Sequence, residues 1–432
     1  MIKKTLLIAA LTVPFMALAQ QGKLWLIKTG KLFDSETAQF KPSMDILVKN
    51  GRIEDVKPDV LVTAAEKKQY ALIDLTKYTV LPGLIDVHTH LLYKETLENT
   101  VDLVRHLTME GDVYRALYGA ARAKGYLEAG ITSVQDLGNS GQYADMALRQ
   151  AIGEGLLPGP RMNCSGPGLA AAGAQMPGVN FQSQRIIDGE YRIVSGVDDA
   201  VQAVREHVNQ GVNVIKLYAD NAPNKTMLSI EEMRAVVNEA HRYKIRVTAH
   251  ATFDLSIHNA VIAGVDCIEH GYSVSDSTLQ LMAKKHVMLV PTDGDRYGLA
   301  SLLKSPTGDT TGVGARIALI QRRKTDRLQR AIKAGVTIAY GSDDYADTKM
   351  SYGEPSKRNL IGLYEKGVPI PQVLQIATLN SAKELNRGNQ IGILKKGYLA
   401  DIIAVDNNVD KDISAVLKVP FVMKNGEVYV NK

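Results

Sequence analysis

The sequence predicts an α/β protein: a (β/α)₈ barrel carrying a small composite β-sandwich domain built from both chain ends. Two patterns predict it. Eight apolar runs of strand length, at 80–88, 132–138, 161–166, 212–219, 246–251, 266–271, 287–292 and 336–343, alternate with amphipathic helical stretches such as 198–209, 230–243 and 315–334. Eight βα units favour a closed barrel over a doubly wound sheet. By contrast, 24–77 and 391–430 read as short alternating runs broken by turns, each with an Asn-Gly hairpin signal, Asn50-Gly51 and Asn425-Gly426.

The chain opens with a basic MIKK segment, an apolar run and a small-x-small site at Ala17-Leu18-Ala19, which reads as a signal peptide over residues 1–19. That predicts a secreted, periplasmic protein. The run is shorter than the ~20 residues that span a bilayer, and no later stretch is longer, so no stable membrane span is expected once the leader is removed. No cysteine follows the leader to carry a lipid. Its removal takes Lys3 and Lys4 and no acid, lowering a formal charge of only +5 and leaving no case for nucleic acid. With 45% apolar and 22% charged residues, disorder and a collagen-like fibre are excluded.

Residues 20–80 and 388–432 then form the composite β domain, and 81–387 the barrel, a division that suits 432 residues. Inside the barrel, Gly130-Ile131, Gly211-Val212, Gly264-Val265 and Gly335-Val336 mark helix-to-strand returns. Cys164 and Cys267 sit in apolar strand-like runs and read as buried free thiols.

The chemistry starts in TVLPGLIDVHTHLLY, residues 79–93. Alternate residues of a strand share a face, so Asp86, His88 and His90 point the same way and the two imidazoles can chelate one metal. In a barrel, reactive groups lie at the C-terminal strand ends. Those ends carry His88 and His90 on strand one, Lys216 on strand four, His250 on five, His270 on six and Asp343 on eight. An ammonium in the apolar run VIKL is costly to bury unpaired. The remaining histidines, His106, His207, His241, His258 and His286, fall in helices or at a helix-to-strand junction and read as packing or surface residues.

This order of ligands resembles the amidohydrolase superfamily. PGLIDVHTH, VIKLYAD, TAHA, CIEHG and GSDD are similar to its imidazolonepropionase and prolidase-like branch, which includes Xaa-Pro and Xaa-Arg dipeptidase-like proteins, and IGILKKGYLADIIAVD is similar to its composite domain. The resemblance implies two divalent metals, zinc in most members. Lys216, carboxylated by CO₂, would bridge them; His88, His90 and Asp343 would hold one, and His250 and His270 the other, with a hydroxide between. Two dications against carbamate, hydroxide and Asp343 leave one positive charge, which favours the oxyanion of a tetrahedral intermediate. Asp343 would take the water's proton and pass it to the leaving amine.

The resemblance further implies a small-molecule amide substrate and a homo-oligomer. The expected activity is hydrolysis of a dipeptide or an N-acyl amino acid. Cyclic amide hydrolysis, as in imidazolonepropionase, is the alternative, and a non-catalytic binding barrel is disfavoured by the complete set of six ligands. For substrate contacts the sequence offers Tyr218, two residues beyond Lys216 on the same face, and Arg296 and Lys349 in long loops after strands seven and eight. Where relatives carry Gly-Gly-His after strand three, this chain has Ala172-Gly173-Ala174-Gln175, so their specificity does not transfer directly.

Overall fold

The computed structural model describes residues 24–58, 69–96, 107–176, 178–222, 224–303 and 312–432. The leader at 1–19 and His106 lie outside these residues. Among the described residues nineteen strands follow in order. The first five are β1 (Leu24–Asp34), β2 (Gln39–Lys41), β3 (Asp45–Lys49), β4 (Arg52–Lys57) and β5 (Ala71–Pro82). The central ones are β6 (Leu84–Thr89), β7 (Glu95–Thr96), β8 (Ile131–Asp136), β9 (Arg161–Cys164), β10 (Gly168–Ala170), β11 (Tyr191–Ile193), β12 (Val214–Tyr218), β13 (Arg246–Phe253), β14 (Cys267–Ser273), β15 (Met288–Val290) and β16 (Ala346–Asp347). The chain ends through β17 (Ile402–Asp406), β18 (Phe421–Lys424) and β19 (Glu427–Asn431).

Both chain ends build one eight-stranded sheet, ordered β19-β18-β17-β5-β1-β3-β4, with β2 on β1. Asn50-Gly51 and Asn425-Gly426 are its predicted hairpin turns, all four residues at positive φ, which closes a two-residue loop with the twist the strands need. One feature differs from the antiparallel pattern the sequence suggests: β1 and β5 run parallel, joined by a connection long enough to cross over. The sheet folds over a single core of Ile27, Ile46, Ile53, Ile73, Ile402 and Phe421. Trp25 Nε1 donates to Gly426 O across the fold at 2.8 Å.

At Gly83 the chain passes from this sheet into the barrel. A Cβ there would lie 2.1 Å from Thr132 Oγ1, so only glycine fits. The run read as one strand over 80–88 is therefore divided: Val80 to Pro82 pair with β17, and β6 pairs with β8.

Parallel pairing joins β6, β8 and β9, and separately β12, β13, β14 and β15. Asn213 N donates to Cys164 O at 2.9 Å, linking β9 to the start of β12. The eighth position, 337–343, closes the ring. Leu289 N bonds Thr337 O and Ala339 N bonds Leu289 O on one side, while Val87 N bonds Tyr340 O and Asp343 N bonds His88 O on the other. It forms no regular strand because side chains take some of its ladder bonds: Asn380 Nδ2 donates to Ile338 O, Ser381 Oγ accepts from Tyr340 N, and Asp86 Oδ1 accepts from Ser342 N.

Amphipathic helices cover the barrel. Ile230–Arg242, for example, starts at a Ser229–Glu232 capping box and buries Met233, Val236, Val237 and Ala240. Among the described residues no helix is long and apolar enough to cross a membrane. Cys164 and Cys267 are both buried and free.

Candidate active site

The C-terminal ends of the barrel strands surround a cavity of about 380 Å³ lined by His88, His90, Lys216, His250, His270 and Asp343 among others. All six sequence-predicted ligands thus meet in one place. The ring centroids of His88 and His90 are 5.2 Å apart, of His88 and His270 5.1 Å, and of His250 and His270 4.6 Å.

The tightest group is His88, His90 and Asp343, whose ligand atoms all lie within 4.8 Å of one another. Asp343 Oδ1 is 3.2 Å from His90 Nε2 and 3.5 Å from His88 Nε2. Each imidazole is held from behind through its other nitrogen. His88 Nδ1 is 2.6 Å from Glu269 Oε2, and His90 Nδ1 is 3.0 Å from Gly138 O. Metal-binding histidines are oriented in this way, with one nitrogen on a carboxylate or carbonyl and the other turned to the ion. Across the cavity, His250 Nε2 is 3.3 Å from Asp220 Oδ1, and His270 Nδ1 is 2.9 Å from Thr292 Oγ1.

Burial sets the protonation of the group. It pushes the imidazoles of His88 and His270 well below their usual range, and that of His250 below it, so they are neutral, the form that binds metal. Burial also lowers Lys216, despite the opposing pull of Glu269 and Asp343, and so favours the free amine needed for reaction with CO₂. For Asp343, burial works against ionisation, but His88 and His90 outweigh it and hold the carboxyl at about 2. The donor set therefore fits divalent metals.

Backbone strain accompanies the geometry. His270, Thr292 and Asp343 have φ of 71°, 52° and 54°, a region costly for non-glycine residues and frequent at functional sites.

Several contributors were not apparent from sequence. Glu269 is fully buried, accepts from Thr248 Oγ1, and burial raises its carboxyl to about 7. Arg122 donates to His90 O, Tyr93 O and Asp344 O at 2.7–2.8 Å, clamping the ends of strands one and eight together. Asp86, which shares the face of His88 and His90 in the sequence pattern, is a clamp as well, bonding His88 N, Ser342 N and Ser356 Oγ.

Of the candidate substrate contacts, Tyr218 lines the cavity, with its ring 5.3 Å from Lys216 Nζ and 5.3 Å from the His250 ring. Burial keeps its hydroxyl protonated. Gln175 also reaches the cavity, Nε2 lying 2.7 Å from His250 Nε2. Arg296 and Lys349 are exposed and lie outside the cavity lining.

A barrel mouth that gathers neutral imidazoles, an ionised carboxylate and a buried lysine around one cavity defines a metal-dependent hydrolase. The chain belongs to the amidohydrolase family, whose model matches residues 79–429, and it is a hydrolase acting on C–N amide bonds. Among characterised relatives, the ochratoxinase of Aspergillus niger is 30% identical over 382 residues, covering 81% of this chain and 75% of that enzyme. The imidazolonepropionase of Geobacillus sp. is 22% identical over 386 residues, covering 84% and 83%. Among solved structures, a Xaa-Pro dipeptidase with bound methionine superposes with a TM-score of 0.81 at 27% identity, over 95% of this chain and all of that one. A prolidase complexed with N-methylphosphonate-L-proline gives 0.82 at 26%, with the same coverage.

Proposed function

We propose that this hydrolase is binuclear and releases a free amino acid from a dipeptide or an N-acyl amino acid. The observation that carries the reading is the His88–His90–Asp343 group, with each imidazole locked from behind and His250, His270 and Lys216 completing the same cavity wall. His88, His90 and Asp343 would hold one ion, His250 and His270 the other, and carboxylated Lys216 both. The ions, zinc by family analogy, would supply Lewis acidity towards the scissile carbonyl and acidify a water.

The chain's own residues do the rest. Asp343, ionised and at the centre of the histidines, receives the water's proton and returns it to the leaving amine. Tyr218, kept protonated by burial, donates to the substrate carbonyl. Glu269 and Gly138 O keep His88 and His90 in one tautomer.

Support for an amino-acid leaving group comes from the prolidase and dipeptidase structures, and the ochratoxinase relative adds ochratoxin to the substrates worth testing. The periplasm as site of action rests on the leader alone. The test is a hydrolysis screen of zinc-loaded protein, supplied with bicarbonate, against dipeptides, N-acyl amino acids, cyclic amides and ochratoxin, with Lys216→Ala alongside. Turnover of the first two classes, lost in the variant, is expected. Turnover of cyclic amides alone would overturn the reading.

A further inference from the structure

A cavity of about 600 Å³ opens where the barrel helices meet the end of the sheet domain, and it shares no lining residue with the active site. It exceeds the roughly 300 Å³ at which pockets for small organic ligands begin. Met350, Leu417 and Val419 give it an apolar wall, and Lys357, Lys418 and Lys432 give it cations.

Lys357 is the unusual member. It lies on the buried face of the helix Glu354–Glu365 with Ser356, Leu360 and Leu363, and only 3% of it is exposed. A buried charge normally meets an opposite one, yet among the described residues no carboxylate forms an ion pair with Lys357. Its Nζ donates to Leu417 O at 2.8 Å, at the carbonyl end of the short helix Ile413–Leu417, which engages one of three ammonium protons. Burial pulls the ammonium down to about 8, against the opposing pull of Glu354, so it stays charged at neutral pH. Glu354 itself is held by Arg358 at 2.8 Å. The rest of the lining does not cancel this charge. Lys418 and Lys432 are exposed cations. Against the three lysines stand Glu128, exposed and 3.8 Å from Lys124, and the α-carboxylate of Lys432, so cations outnumber anions.

We infer that this cavity is a second binding site, for an organic acid with an apolar body. The carboxylate takes the two remaining protons of Lys357, and the body lies on Met350, Leu417 and Val419. Lys418 and Lys432 draw the anion in by their field.

The test is competitive acetylation of the zinc-loaded full chain, read lysine by lysine by mass spectrometry, with hexanoate, hexan-1-ol or inorganic phosphate present. Lys366 and Lys424, which burial likewise lowers to about 8, are internal controls. Hexanoate is expected to slow labelling of Lys357 about 10-fold relative to both controls, and the alcohol and phosphate to leave it nearly unchanged. Calorimetry separates this site from any binding at the active site: in Lys357→Met hexanoate should bind the second site about 10–100-fold more weakly at unchanged zinc content, with partial recovery in Lys357→Arg. Labelling of Lys357 that hexanoate does not alter, or that phosphate alters as much, would overturn the inference, as would matching isotherms for wild type and Lys357→Met. The labelling arm needs only the wild type, so it decides even where Lys357→Met does not fold.

Discussion

Glu269 Oε2 lies 2.6 Å from Nδ1 of His88, inside a pocket where both side chains are almost wholly buried. Neighbouring residues of a strand normally face opposite ways, yet Glu269 holds His88 from behind while His270, the next residue, stands with its ring 5.1 Å from that of His88. The left-handed backbone at His270 breaks the alternation and lets one strand end supply both a candidate ligand and the support for another.

Glu269→Gln keeps a hydrogen-bond acceptor for His88 and removes the charge. Metal affinity is expected to fall about 10–100-fold, as it does for carboxylates that support a metal-bound histidine. Chelator competition read against zinc content checks this, with the thermal midpoint measured in the metal-free state as the control for folding.

Gly341 precedes the Ser342-Asp343 corner, and a Cβ there would lie 2.4 Å from Val290 Cγ1 and 2.6 Å from His88 Cβ. Gly341→Ala is expected to cost about 1–3 kcal/mol of stability by overpacking and to displace His88. Urea unfolding should show the loss, and zinc stoichiometry should fall with it.

Asp145 is buried at the start of the helix Ala144–Gly153, accepting from Gly166 N at 3.0 Å and Met146 N at 2.9 Å. Burial, then the nearby Asp136, raises its carboxyl from 3.8 to about 7. A folded-state value above the unfolded one means that the folded chain binds the extra proton, so this group's contribution is full below 3.8 and lost as the pH rises through about 7. In Asp145→Asn the side chain is neutral throughout. The stability of the variant relative to wild type should therefore rise from pH 5 to pH 8 by on the order of 1 kcal/mol or more, measured by urea midpoints at both values. A difference independent of pH would contradict the assignment.

Ser229 accepts from Glu232 N at the start of Ile230–Arg242, on the outside of the barrel. Ser229→Ala should cost about 1 kcal/mol with kcat unchanged, as read from urea unfolding and turnover of the same preparation.

The barrel positions were legible because each strand needs an apolar run and four of the return turns hold a glycine at positive φ, Gly130, Gly211, Gly264 and Gly335, while Lys244 and His286 take that conformation before strands five and seven. The six candidate ligands were legible because histidine, lysine and aspartate have few inexpensive reasons to end apolar strands. Glu269 was hidden by strand alternation, which assigns it to the face opposite His270; only the backbone angle at His270 reverses that. The parallel pairing of β1 with β5 was hidden because alternating patterns do not encode strand direction. Arg122 acts from a helix, where a charged side chain usually means a solvated face, and its role follows from the buried carbonyls it meets.

The most direct test of the metal centre is the ¹³C spectrum of zinc-loaded protein equilibrated with ¹³C-bicarbonate. A protein-bound carbamate resonance in the wild type that is absent from Lys216→Ala is the predicted result. A fully active, zinc-loaded wild type without that resonance would contradict the assignment of Lys216 as the anion shared by both metals.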